Sequence, residues 1–292
     1  MKKVLVTGEN GYIGKQFKKW INNNESKIIL EFISIREDSW KLKDFSDYDA
    51  VLHLAGIAHV SRNPKLEDLY YKINRDLTLE VAKKAKKDGV KQFIFMSSII
   101  VYGKKSVGLE NGIINKNTLP VPNDFYGDSK LQAEKLLEKL QNNDFDVAII
   151  RPPMIYGPES KGNFELLKKA VPLTFLFPYI ENKRSMLFID NLSNFLKLII
   201  LNEDKGMFFP QNKEYVSTSN LVKEIANTYK RKMILTTAFN FLILRLSQRV
   251  NVFEKLFGNL AYDHSLSTYR DNYQLVEFKK TITDSILRRS RF

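Results

Sequence analysis

Tyr126 and Lys130 stand four residues apart at the head of a helical pattern, a spacing that puts both side chains on one face. A phenol titrates near pH 10 and is a poor acid–base catalyst at neutrality. A neighbouring cation favours the phenolate. Bringing a phenol down to about 7 takes about 4 kcal/mol of differential stabilisation, within reach of close charges in a dry site. Such pairs are common on surfaces, so this one gains meaning only from its company. Ser97 and Ser98 leave the apolar run Gln92–Met96 and precede Val101-Tyr102-Gly103. A hydroxyl at the end of a strand either terminates it or reaches an oxygen held beside the tyrosine. The third group is Gly8, Gly11 and Gly14, set between the apolar run that ends at Thr7 and a helical pattern of Ile13, Phe17, Trp20 and Ile21. Strand, glycine turn and helix together make a cradle for a dinucleotide pyrophosphate: a tight turn at Gly8, open backbone at Gly11, close packing at Gly14.

These groups need a frame. Strands are expected at Val4–Thr7, Ile29–Ile35, Ala50–Leu54, Gln92–Ser97 and Asp146–Ile150, with helices over Tyr12–Asn22, Leu66–Asp88 and Tyr126–Gln141. The strands are near-continuous apolar runs, the mark of a parallel sheet covered on both faces. Alternating strand and helix imply right-handed crossovers, an α/β doubly wound Rossmann fold, and ligands beyond the carboxyl ends of the strands. Gly8, Arg36, Ala55–His59, Ser97–Ser98 and Pro152–Pro153 all fall at those ends. Residues 1–155 are read as the dinucleotide-binding core. Residues 156–292, punctuated by Pro158, Gly162, Pro172, Pro178 and Pro210, are read as mainly a smaller substrate-binding lobe with some late core elements. Ala238–Leu260 is amphipathic, and packing into the lobe is favoured over a membrane-surface role.

Composition narrows the chemistry. The 292 residues include no cysteine, which excludes disulfides, thiolate metal sites and a cysteine nucleophile. His53, His59 and His264 lack zinc-type spacing, and no metal is expected. The net charge of +13 rests on lysines scattered along helical patterns, which suits solvated faces better than a nucleic-acid groove. No run is long enough for a membrane span, and the first strand begins at once, so a cytoplasmic location is expected.

The motifs in their order resemble the extended short-chain dehydrogenase/reductase family, which acts on nucleotide sugars. They are Thr7-Gly8-Glu9-Asn10-Gly11-Tyr12-Ile13-Gly14, His53-Leu54-Ala55-Gly56, Asn74, Ser97 to Gly103, Tyr126-Gly127-Asp128-Ser129-Lys130, and Arg151 to Pro158. The likeness narrows on Phe93 to Ser97, Arg151 to Gly157, Gly162-Asn163-Phe164, Arg184-Ser185 and Lys255 to Leu260. These segments are similar to bacterial 4-ketoreductases of surface-polysaccharide pathways, whose substrates are UDP-2-acetamido-2,6-dideoxy-hexos-4-uloses.

The resemblance implies roles. Ser98, Tyr126 and Lys130 are the expected catalytic residues. Ser98 and Tyr126 hold the reacting oxygen, Tyr126 supplies the proton, and Lys130 grips the nicotinamide ribose. Cofactor contacts are expected from Gly8, Gly11, Tyr12, Ile13, Gly14, Leu54, Ala55, Gly56, Asn74, Ser97, Pro153 and Ile155. Substrate contacts are expected from His59, Met154, Asn163, Phe164 and Arg184, with Arg184 on the diphosphate. Arg36, just past the second strand, favours NADP(H) over NAD(H), although Glu37 and Asp38 follow it. Asp44 and Trp40 are alternatives for the adenine. The expected product is UDP-N-acetylfucosamine or UDP-N-acetylquinovosamine, for capsule or O-antigen. A UDP-sugar 4-epimerase with tightly held NAD and a noncatalytic dinucleotide sensor are the rivals. Met154, where some epimerases carry an asparagine, disfavours the first of these. A homodimer paired through the Tyr126 helix is the expected assembly.

Overall fold

The computed structural model describes residues 1–58, 63–103, 111–238, 240–241 and 256–288. Chain order opens with β1 (Lys2–Thr7), α1 (Tyr12–Asn23), β2 (Ile28–Ile33), β3 (Ala50–His53), α2 (Glu67–Tyr70), α3 (Thr78–Lys87) and β4 (Gln92–Met96). It continues with β5 (Ile113–Ile114), α4 (Phe125–Glu138), β6 (Asp146–Ile150), β7 (Met154–Tyr156), α5 (Asn163–Ala170), β8 (Leu176–Pro178) and β9 (Met186–Phe188). It ends with α6 (Ile189–Leu201), β10 (Gly206–Phe208), α7 (Thr218–Thr228), β11 (Ile234–Thr236), β12 (Ala261–Tyr262) and α8 (Phe278–Leu287).

Six strands form one parallel sheet in the order β10-β6-β4-β3-β1-β2. Side-chain alternation explains why both faces are covered. Val4, Val6, Ile94, Met96, Ala148 and Ile150 join a core with α1, α6 and the lobe. Leu5, Phe93, Phe95, Val147 and Ile149 face the other way, onto Val81, Ala82 and Ala85 of α3 and Ala133 and Leu137 of α4. The chain winds outward from β1 to β2 on one side and to β3 on the other. That reversal opens a crevice at the carboxyl ends of β1 and β3, where a doubly wound sheet binds its ligand.

One departure from the expected elements matters. The run read as one helix, Leu66–Asp88, is interrupted by a π-helical stretch, Tyr71–Leu77, between α2 and α3. A wider turn shifts the face of the helix, and Asn74 lies in that stretch. The sheet is completed only after residue 156, by β10 on β6. Between β6 and β10 the chain pairs β7 with β9 outside the main sheet, and β8 is joined there by β11 after β10. His59 and most of Ala238–Leu260 lie outside the described residues.

Candidate active site

The turn after β1 is built from close backbone contact. Gly8 has φ +87°, and a Cβ there would stand 2.8 Å from Ala55 N. A Cβ on Gly14 would stand 2.6 Å from Gly8 O, so the start of α1 rests on the turn. Gly11 is the N-cap, with no side chain capping the helix and no acidic residue in its first turn. The N–H groups of that turn are therefore open to an anion, with the helix dipole behind them. This cradle fits a pyrophosphate. Tyr12 and Ile13 turn their side chains into the core, and the Tyr12 hydroxyl is buried against Gly157. Any contact they make with a dinucleotide runs through their main chain.

Leu54, Ala55 and Gly56 form the opposite wall. Thr7 Oγ1 accepts from Ala55 N at 3.2 Å and lies 3.1 Å from His53 Nδ1, while His53 Nε2 lies 3.1 Å from Thr78 Oγ1. Burial pushes His53 down to about 3, with the Lys130 charge adding to it, so the ring is neutral. Asn74 was expected on the cofactor, but its amide is spent on the backbone of this wall. It accepts from Ile57 N at 2.9 Å and donates to Ile57 O at 3.0 Å and to Ser129 Oγ at 3.2 Å. The π-helical stretch thus fixes the loop that faces the crevice.

The catalytic candidates meet at the ends of β4 and α4. Ser98 caps the short turn Ile99–Val101, and its Oγ accepts from Ile100 N at 3.3 Å. Asp124 caps α4, accepting from Gly127 N at 2.9 Å. A Cβ on Gly127 would come within 2.7 Å of Ile100 O, so glycine lets α4 close onto the Ser98 turn. Burial pushes the Tyr126 phenol up to about 12, and a hydrogen bond from Ser98 pulls it the other way. In the protein alone, desolvation of the phenolate dominates. One turn on, the buried Lys130 donates to Met96 O at 2.9 Å, and its Nζ lies 4.6 Å from the centre of the Phe95 ring. Burial pulls its ammonium down to about 8, with Glu134 opposing. A Cβ on Gly56 would be 3.3 Å from that Nζ, so Lys130 lies alongside the β3 wall.

Ser97 was expected on the cofactor, yet its hydroxyl donates to Glu134. Glu134 is 1% exposed and receives Arg151 through two bonds, Nε to Oε1 at 3.0 Å and Nη2 to Oε2 at 2.6 Å. Arg151 Nη1 donates to the Tyr102 hydroxyl at 2.6 Å. This buried pair ties α4 to the ends of β4 and β6 behind Lys130. The sequence reading passed over Glu134. Its signal was the spacing from Lys130, four residues on along the same helix face.

Across the crevice, Met154, Asn163 and Arg184 line a narrow cleft with Thr218, Leu221 and Leu256. Arg184 Nη1 donates to Gly258 O at 3.0 Å, and burial lowers its pKa. No carboxylate reaches it among the described residues. A half-buried guanidinium held, among the described residues, by one carbonyl keeps unused donors for an anion. Phe164 was expected on the substrate, but it is 1% exposed and packs on Tyr156, ring centres 5.2 Å apart. Its place on α5 next to Asn163 turns it inward to the core. Trp40 is likewise buried, beside Phe45, and offers nothing to an adenine. Asp44 is occupied in a turn with Ser46. Arg36 is exposed just past β2, on the same sheet edge as Gly8. Pro153 and Ile155 flank the start of β7, at the end of β6.

The sequence pattern of the NAD dependent epimerase/dehydratase family matches residues 4–206. The UDP-glucose 4-epimerase of Vibrio cholerae is 32% identical over 249 residues, covering 77% of this chain and 75% of that protein. The N-acetyl-alpha-D-glucosaminyl-diphospho-ditrans,octacis-undecaprenol 4-epimerase of Escherichia coli O157:H7 is 28% identical over 249 residues, covering 79% and 73%. Among solved structures, the UDP-glucuronic acid 4-epimerase of Bacillus cereus in complex with NAD superposes with a TM-score of 0.74 at 20% identity, covering 97% of each chain.

Proposed function

The chain belongs to the NAD-dependent epimerase/dehydratase family, and within it we propose that this protein reduces the 4-keto group of a UDP-2-acetamido-2,6-dideoxy-hexos-4-ulose. The observation that carries this reading is the Ser98–Tyr126 pair one helical turn from the buried Lys130, together with a lobe that holds a half-buried arginine with no carboxylate partner among the described residues. The first group handles an oxygen that gains or loses a proton. The second suits the diphosphate of an activated sugar.

The dinucleotide is proposed to lie with its pyrophosphate on the first turn of α1 and its ribose near Lys130. When bound, it supplies the hydride. The protein supplies the rest. A phenol held above its usual pKa keeps its proton at neutral pH, the state from which a reduction begins. Tyr126 gives that proton to the oxygen at C4 as charge develops there, and Ser98 donates a hydrogen bond to the same atom. Lys130, fixed by Met96 O, stabilises the phenolate left behind. Arg184 and Asn163 hold the nucleotide diphosphate end, so that C4 rather than another carbon meets Tyr126. Met154 gives the cleft an apolar wall, which suits a 6-deoxy sugar. Exposed Arg36 supports NADPH as the preferred reductant.

A second reading is a 4-epimerase, which uses the same Ser98, Tyr126 and Lys130. It is favoured by the names of the two relatives above. Incubation with the keto sugar and NADPH separates the two. Loss of absorbance at about 340 nm, one equivalent per sugar converted, supports the reductase. Interconversion of UDP-sugars differing at C4, with no net cofactor turnover, contradicts it and establishes the epimerase.

A further inference from the structure

The lobe carries an exposed apolar corner that the catalytic reading does not use. Leu173 is 87% exposed, Phe175 69% and Phe241 77%, with Ile234 beside them at 45%. Four hydrogen bonds tie the backbone segments that carry these residues to one another, along the platform of the β8–β11 pair and its flanks. Arg231 Nη1 donates to Pro172 O at 2.7 Å and Ile234 N to Phe175 O at 2.8 Å. Tyr179 N donates to Thr236 O at 2.8 Å and Asn240 Nδ2 to Tyr179 O at 2.6 Å. Soluble surfaces tolerate single exposed apolar side chains, but a cluster of long ones marks an interaction surface.

The charge around the platform says what kind. Lys230, Arg231 and Lys232 run directly into β11, all exposed and none in an ion pair among the described residues. The Arg231–Pro172 bond brings this basic run against Leu173. Lys168 and Lys169 are also near in sequence, though Glu165 meets them at 2.5 and 3.6 Å and offsets part of their charge. Beyond the platform, Glu181 and Lys183 cancel each other. Tyr179 and Tyr229 are 38% and 36% exposed, with rings suited to the level of lipid headgroups. Among the described residues no helix is long and apolar enough to cross a membrane, so contact with a bilayer would be at its surface.

We propose that the β8–β11 corner docks on the surface of an anionic phospholipid bilayer. Leu173, Phe175 and Phe241 enter the headgroup boundary, and Lys230 and Lys232 face the lipid phosphates. Apolar insertion and electrostatic attraction add in such contacts, and the second falls with salt. The inference stands on the surface alone and not on the direction of the redox reaction.

The test is co-sedimentation of the full chain with vesicles of phosphatidylglycerol and phosphatidylcholine, against vesicles of phosphatidylcholine only. Binding to the anionic vesicles at low salt is expected, at least about tenfold weaker on neutral vesicles or at high salt. Lys230→Glu with Lys232→Glu, and separately Leu173→Ser with Phe175→Ser, should each lower it at least about tenfold. Both pairs should keep the thermal midpoint and the turnover of a soluble UDP-sugar. No binding by the unaltered chain, or equal binding to both vesicle types, overturns the proposal while leaving turnover untouched. So does a change of oligomeric state in the Leu173/Phe175 variant with vesicle binding intact, which would assign the corner to a second copy of the chain.

Discussion

At β1 the cleft is made of main chain. Gly8 lies against Ala55, Gly14 brings α1 onto the turn, and the uncapped first turn of α1 presents N–H groups. Across from it, the lobe works with side chains drawn from distant places. Arg184 before β9, Asn163 at the start of α5, Thr218 on α7 and Leu256 meet in one cleft although they span nearly a hundred residues of chain. The first half is a shape, set by where a Cβ is forbidden. The second is a constellation, set by where long side chains end. Between them, Tyr126 and Lys130 stand on α4 and depend on both.

This contrast can be broken in order of effect. The largest loss is expected from Tyr126→Phe, which removes the proton donor shared by both halves. Turnover should fall about 10²- to 10⁴-fold while dinucleotide binding, measured by fluorescence titration, stays near its original value. Equal loss of both would mean that the phenol holds the cofactor instead. Arg184→Met should act on the lobe alone. KM for the UDP-sugar should rise about 10- to 100-fold, the worth of about 1.5–3 kcal/mol for a lost charged hydrogen bond, with kcat little changed. An unaltered KM would remove Arg184 from the substrate cleft.

Gly8→Ala tests the other half. The substitution meets both a left-handed backbone and the Ala55 amide, so it should cost about 1–3 kcal/mol of stability and weaken the dinucleotide more than the sugar. Calorimetric titration of each ligand separates those effects. The smallest expected effect lies under the β3 wall. His53 is held at about 3 in the fold, well below its ordinary value near 6.5. The unfolded chain therefore takes up a proton first as pH falls, and stability is present above pH 6.5 and lost below it. The loss should be about 2 kcal/mol by about pH 5. Denaturant midpoints for the protein and for His53→Gln over that range check it, since the variant should lose this part of the slope.

The same contrast explains what could be read from the residues alone. The glycine spacing predicted the cradle because each glycine answers a local steric demand within a few residues. The parallel sheet was legible from apolar runs for the same reason. Ser98 and Tyr126 stand at the end and the start of elements, and Lys130 follows Tyr126 by one turn, so their placement could be read from the residues. Phe164 could not be read correctly. Whether a phenylalanine beside Asn163 faces a ligand or Tyr156 is decided by how α5 packs, which its own neighbours in sequence do not record. Ser97 and Asn74 were expected on the cofactor through the family resemblance, and their side chains bond Glu134 and Ile57, partners that only the packing reveals. The burial that raises the Tyr126 phenol in the protein alone could not be read for a related reason, since it depends on packing around the ring.

One measurement bears on the whole arrangement. The keto sugar is incubated with NADPH carrying deuterium at both hydrogens of nicotinamide C4, and the product is examined by nuclear magnetic resonance. The account predicts one deuterium at C4 of the sugar for each NADPH consumed, and that product forming about 10²- to 10⁴-fold more slowly with Tyr126→Phe. Conversion at C4 without deuterium, or deuterium at another carbon, would contradict it.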